Sequence, residues 1–265
     1  MDQGLIRLLV FASVLLVMAS AEALWPRKKR VMDRPARWFN NLSLSVINSI
    51  AIKVLGPITA IAAAEYALDN GYGLIALSPT PLPFWLEILI GFVILDLLIY
   101  FQHVLSHKVP MIWKFHKVHH ADRDIDVTTG IRFHPIEVLF SMLYKCGFIL
   151  LLGPLPIAVF LFEVVLNGSA MFNHANVRLP SWLDKALRFI IVTPDFHRVH
   201  HSTIRKETNS NYGFFLSIWD RIFKTYIAQP KLGHDDMVIG LDEYQTKSPA
   251  SLAWSLKTPF NKDNI

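Results

Sequence analysis

An all-α, multi-pass membrane bundle carrying a histidine-ligated di-metal site is the fold class that the sequence predicts, and three observations predict it. Of 265 residues, 52% are apolar and 18% charged, a balance too hydrophobic for an ordinary soluble domain. The apolar residues gather into runs long enough to cross a bilayer. Ten of the eleven histidines fall between positions 103 and 201, most of them in three clusters at helical spacing.

Residues 5–25 form the first run, with Arg7 and Glu22 near its ends; at about 1.5 Å per residue it spans a bilayer core of about 30 Å. Arg27-Lys28-Lys29-Arg30 follows at once and opposes translocation, so Ala19-Ser20-Ala21 reads as part of an uncleaved span rather than a peptidase site. The second run, 44–68, is interrupted by Lys53 and by Gly56-Pro57, which should kink a helix because proline removes a donor and clashes with the preceding turn. Six Lys or Arg lie in 27–43, whereas the turn 69–73 and the prolines at 79, 81 and 83 belong to a loop with none. That asymmetry puts 27–43 in the cytoplasm. The third span, 84–104, returns inward and delivers His103 and His107 at its cytoplasmic end, and the polar residues up to 134 hold the second cluster. Apolar residues 136–172 are broken by Gly153-Pro154-Leu155-Pro156 into a hairpin, 136–152 and 155–172, whose arms are near the lower limit of about 17 residues for a span. The hairpin brings the chain back to the side it left. His174 follows, and the polar region 173–230 carries the third cluster, so all ten histidines gather on the cytoplasmic face of a single domain, 1–265.

Residues three or four apart on a helix share a face, so His103 with His107, His116 with His119 and His120, and His197 with His200 and His201 each aim their rings in one direction. Neutral imidazole suits zinc, copper, iron and nickel, which leaves the metal open. Eight clustered rings exceed the positions of one tetrahedral or octahedral ion, so two metals are the economical reading. Such a centre can reduce O2 or activate water for hydrolysis, and the ligand set does not decide between them. His134 and His174 are single residues that enter on context; His234 lies outside the pattern and reads as structural. Asp96, seven residues before His103 and on its face, is either an acceptor that orients a ligand imidazole or a hydrogen-bonded packing residue. Glu163, Asn167 and His174 form a stripe pointing toward the same site, and Lys145 either pairs with a carboxylate or marks a tilted helix. Cys146, alone in an apolar stretch, excludes a disulfide framework and a thiolate zinc site. The pI near 9.3 comes from basic residues beside apolar segments, which argues for membrane flanks and against nucleic acid. A bis-histidine haem carrier needs rings facing each other at mid-membrane, and a metal transporter needs polar residues through several spans; neither pattern is present.

The three clusters, in this order over membrane spans, resemble the fatty acid hydroxylase superfamily, in particular its sterol desaturase-like branch. Arg132-Phe133-His134-Pro135-Ile136-Glu137 is similar to the histidine-proline segment after that family's second box, and Asn173-His174-Ala175-Asn176 to its isolated histidine before the third. Asn211-Tyr212-Gly213 and Trp219-Asp220-Arg221-Ile222-Phe223-Lys224-Thr225-Tyr226 resemble its closing segment, in which Lys224 stands where glycine is usual. The resemblance covers about residues 84–230. It implies a small helical membrane bundle capped by a cytosolic helical domain and a non-haem di-iron centre. The implied ligands are His103, His107, His116, His119, His120, His197, His200 and His201, with His174 joining them and His134 a further candidate. It also implies an oxidoreductase that uses O2 and externally supplied electrons to hydroxylate or desaturate a C–H bond of a lipid, sterol, fatty acyl or related. No cytochrome b5-like or ferredoxin-like segment is visible, so a separate electron-donor protein is expected. The basic residues Arg198, Arg205 and Lys206 offer it a docking face, or meet lipid headgroups. A membrane-embedded binuclear zinc hydrolase is the alternative.

Overall fold

The computed structural model describes residues 2–75 and 82–261; the prolines at 79 and 81 lie outside the described residues. The chain runs through α1 (Gln3–Leu24), α2 (Arg34–Val54), α3 (Ala60–Asp69), α4 (Phe84–Lys108), α5 (Pro110–His120), α6 (Pro135–Leu152), α7 (Pro156–His174), α8 (Ser181–Leu187) and α9 (Pro194–His200), and then through short helices. Among the described residues β-type pairing is confined to isolated bridges. Helices α1, α4, α6 and α7 are long and apolar enough to cross a membrane, and the chain is an integral membrane protein. In this bundle α4 and α1 pack on α7, and α3 on α6. Leu95 and Ile99 of α4 meet Ile149 of α6 and Phe162 of α7 in its apolar core, with Cys146 buried and unbridged beside them.

The break between α6 and α7 falls where the sequence puts it. Gly153 is left-handed (φ 65°), and a Cβ there would lie 2.3 Å from the Tyr72 carbonyl oxygen, so both the turn and its contact with the end of α3 require glycine. Pro156 then opens α7 from a first-turn position, where its missing N–H costs nothing.

The segment expected as one kinked span over 44–68 is two helices, neither of them long and apolar enough to cross. The first, α2, starts ten residues earlier than that span, capped by Asp33, whose side chain accepts the Ala36 N–H at 3.2 Å. It ends before Gly56, which is also left-handed (φ 64°), and Thr59 caps α3 by accepting from Ala62. The polar first half of α2 is not a free cytoplasmic loop. Arg37 is fully buried and donates to Asp122 at 2.7 and 2.8 Å and to Asp126 at 2.6 Å, and Asn41 donates to Thr128 at 3.0 Å.

A seam of such buried polar contacts ties the bundle to the histidine-bearing segments. Glu22, at the end of α1, accepts the backbone N–H of Val127 at 2.6 Å and of Asn176 at 2.9 Å. Arg132 donates to the carbonyls of Val118 and Pro249 and to Asn41, each at 2.8 Å. Removing one partner from such a seam is expensive because it strands a charge away from water. The closing segment is organised by Asp220, which accepts the N–H groups of Tyr212 and Gly213 at 2.8 and 2.7 Å. Lys224 has φ 58°, the left-handed conformation that glycine adopts freely, which explains why glycine is usual at this position in the sequences it resembles.

Candidate metal centre

Nine of the ten candidate ligands converge. Helix α4 presents His103 and His107 on consecutive turns, α5 presents His116, His119 and His120, and α7 ends in His174. Helix α9 is started by Thr193 accepting the Phe196 N–H and followed by Pro194, and it carries His197 and His200 with His201 as its C-cap. The rings form two groups. His103, His107, His116, His120 and His200 make one, and His119, His174, His197 and His201 the other; within each, ligand atoms lie within 4.8 Å of one another.

Several observations fit a metal in each group. Nε2 of His200 and Nε2 of His103 are 3.0 Å apart, and Nε2 of His174 is 3.1 Å from Nε2 of both His119 and His197. Adjacent ligands about 2.1 Å from one first-row ion stand at about that separation. Nε2 of His107 and His116 and both ring nitrogens of His120 and His201 are buried without a hydrogen-bond partner. Orphaned nitrogens cost about 1–3 kcal/mol each, a cost that coordination removes for the one nitrogen of each ring that ligates.

Most rings are also held from behind. Nδ1–H of His103 donates to the Tyr212 carbonyl at 2.7 Å, that of His200 to Ser210 at 2.6 Å, that of His174 to Ala170 at 2.6 Å and that of His119 to Arg132 at 3.2 Å. Nδ1 of His116 lies 2.5 Å from Glu137 Oε1. Such contacts fix the tautomer and turn the Nε2 lone pair inward. Burial, reinforced by the neighbouring rings, holds His119, His120, His197, His200 and His201 well below the usual imidazole range, so they are neutral and ready to ligate.

Other expectations land elsewhere. His134 joins neither group: it caps α6, its Nδ1 accepting the Ile136 N–H at 3.2 Å while Nε2 lies 3.3 Å from the Leu256 carbonyl. Pro135 starts that helix, which puts the residue before it at the N-cap position. Asp96 touches no imidazole; it accepts from Leu216 N at 3.1 Å and Trp219 Nε1 at 2.8 Å and so pins the closing segment. Seven residues along a helix separate it from His103 by about 10 Å, too far for direct contact. Glu163 binds Arg7 at 2.8 Å and Lys145 at 2.7 Å, so Lys145 pairs with a carboxylate; of the Glu163 stripe only His174 reaches the rings. Arg198 is buried, paired with Asp195, and is no part of an exposed basic face, whereas Arg205 and Lys206 are exposed. His234 lies 3.7 Å from Asp195, outside both groups. Sequence reasoning missed Glu137. A carboxylate in the first turn of the helix that follows a histidine-rich segment was the available signal.

A cavity of about 450 Å³ opens beside the first group, bordered there by His103, His116 and Glu137. Its walls include the apolar side chains of Ile99, Met142 and Phe214, the last against His103, and Arg7, Lys145, Glu163 and Asn167 also line it.

A helical membrane protein whose buried imidazoles converge in two groups beside a largely apolar cavity is the class that this fold and site define. Residues 88–225 match the fatty acid hydroxylase family, and the chain belongs to it. It is 28% identical over 237 residues to ornithine lipid hydroxylase OlsE of Rhizobium tropici, a match covering 87% of this chain and 70% of that one. Alkylglycerol monooxygenase of Xenopus tropicalis is 32% identical over 161 residues, covering 60% of this chain and 34% of that one. A very-long-chain aldehyde decarbonylase of Oryza sativa subsp. indica is 29% identical over 142 residues, 49% of this chain and 22% of its own. The chain thus spans only about a third of the second and about a fifth of the third. No solved structure matches it.

Proposed function

We propose that this chain is a membrane-bound non-haem di-iron oxidoreductase that uses O2 and electrons from a separate donor protein to oxidise a C–H bond of a lipid. The observation that carries the reading is the pair of buried imidazole groups, five and four rings, at one end of a largely apolar cavity. The family supports iron, and relatives named as a lipid hydroxylase and a monooxygenase support hydroxylation. Each group would hold one iron, and the bound pair would supply O2 reduction and the oxidising power for the C–H bond.

The chain's own residues do the rest. Glu137 holds the proton at His116 Nδ1, and the carbonyls of Tyr212, Ser210, Ala170 and Arg132 hold those of four other rings, so the inward nitrogens keep their lone pairs. Burial of the rings and the apolar cavity wall exclude water from the reacting position. Walls from spanning helices let an apolar substrate reach His103 and His116 from the bilayer. The basic flank after α1 and the lack of Lys or Arg between 69 and 83 support a cytoplasmic side for the histidines, where a soluble donor can dock.

Metal analysis of the detergent-purified chain, expressed with ample iron and read together with O2 uptake after dithionite reduction, tests this. About two irons per chain with O2 consumption is the expected result. Zinc that persists under iron-replete expression, with no O2 uptake, would replace this reading with a binuclear hydrolase.

A further inference from the structure

The cavity has two chemically different ends. Along α6 its wall is one helix face, Glu137, Ser141 and Lys145 at intervals of four residues. At about 1.5 Å per residue, Lys145 therefore lies about 12 Å from the carboxylate that holds His116. There Glu163 is shared by two cations: Oε2 accepts from Arg7 at 2.8 Å and Oε1 from Lys145 at 2.7 Å. The three residues come from α1, α6 and α7, all of them long and apolar enough to cross the membrane. A charge at that depth is costly unless it is matched, and two cations against one carboxylate leave one positive charge in surplus. The triad is reachable: side-chain exposures are 30% for Arg7, 12% for Lys145 and 10% for Glu163. A clamp joining α1 to α7 needs only Arg7 and Glu163. It does not explain Lys145, nor Asn167 one turn from Glu163 on the cavity wall.

We propose that Arg7, Lys145 and Glu163 form a headgroup seat, which takes one anionic oxygen group of a lipid, a carboxylate or a phosphate, and lays the alkyl chain along the cavity toward His103 and His116. Glu163 holds both cations in place, and the incoming anion neutralises their surplus by charge-assisted hydrogen bonds. The seat sets which lipids are accepted and, through its fixed distance from the rings, which stretch of the chain comes to the metal end. This inference rests on the histidine centre being the reacting end of the cavity.

The test is calorimetric binding to the full chain, purified in a neutral detergent without added iron. Palmitate is compared with methyl palmitate, whose ester replaces the charged carboxylate, and palmitoyl lysophosphatidate with 1-palmitoylglycerol, which lacks the phosphate. Each anion is expected to bind about tenfold or more tighter than its partner, a difference that charge-assisted hydrogen bonds can supply. The larger of the two preferences identifies a fatty acid or a phospholipid headgroup as the source. Lys145→Gln should abolish the preference and leave methyl palmitate affinity unchanged, and Lys145→Arg should keep it. Equal affinity for palmitate and its ester, together with equal affinity for the two glycerolipids, would overturn the seat in the wild-type chain alone, whatever the variants do. A Lys145→Gln chain that binds methyl palmitate normally and keeps the wild-type preference would overturn it as well. Because the readout needs neither metal nor turnover, its failure leaves the oxidase reading standing, and a zinc-bound centre would leave the binding result standing.

Discussion

The five-ring and four-ring groups use one ligand type in different surroundings. In the first, His103, His116 and His200 are each held at Nδ1, one of them by a carboxylate, and His103 and His116 border the cavity. In the second, only backbone carbonyls stand behind His119 and His174, and none of its four members is among the described residues lining the cavity. A carboxylate behind an imidazole makes it a stronger donor and holds it more firmly than a carbonyl does. The first group therefore faces the cavity with a carboxylate behind one ring, and the second lies away from the cavity with only carbonyls behind its rings.

The hardest blow to that comparison is the loss of one ligand from each side. His200→Ala and His119→Ala should each abolish turnover and lower metal content by about one ion per chain, because each ring belongs to a different group. Unchanged metal in both variants would break the assignment itself. A subtler probe is Glu137→Gln, which keeps an acceptor near His116 but removes its charge. It should weaken metal binding about 10–100-fold in the first group and spare the second, read by chelator competition. Equal weakening of both would erase the asymmetry.

Protonation should treat the groups alike. The rings of His119, His120, His197, His200 and His201 are held below the ordinary value, near 6.5 in an unfolded chain, so below that pH the unfolded state binds more protons than the folded one. The metal-free protein should thus lose thermal stability progressively as pH falls from about 6.5; melting temperatures flat down to about pH 5 would show that the rings are not held neutral. The smallest effect is expected outside both groups. His134→Ala removes the cap of α6 and should cost about 1 kcal/mol in denaturation while metal content stays unchanged. A loss of metal there would widen the centre by a tenth ring.

These contrasts also show what the sequence could carry. Local spacing announces the three clusters, and the Gly153-Pro154 break announces the hairpin, because each depends on residues within a few positions of one another. What was hidden depends on distant partners. Arg37 looks like one of six loop charges, and only its carboxylates 85 and 89 residues away turn it into the buried anchor that makes 34–43 the start of a helix. Asp96 shares a helical face with His103, as its spacing says, but Trp219, 123 residues on, reaches it instead. Glu137 stood in plain view within the quoted histidine-proline segment, 21 residues from His116, and nothing local tied it to that ring. The cavity's charged end joins three helices and has no local signature either.

Glu22 sets a timetable for making the protein. It leaves the ribosome 105 residues before Val127 and 154 before Asn176, the two groups whose N–H it accepts. At 5–20 residues per second this is a wait of roughly 8–30 s for the later of them. Arg30 and Arg34, translated moments after it and placed 3.4 and 3.9 Å from its carboxylate in the finished fold, can shield it in the interval. Helix α1 thus carries a shield for its buried carboxylate in its own basic flank. A metal held by both groups could be enclosed only after residue 201 has emerged, which would make metal loading a late step of biogenesis.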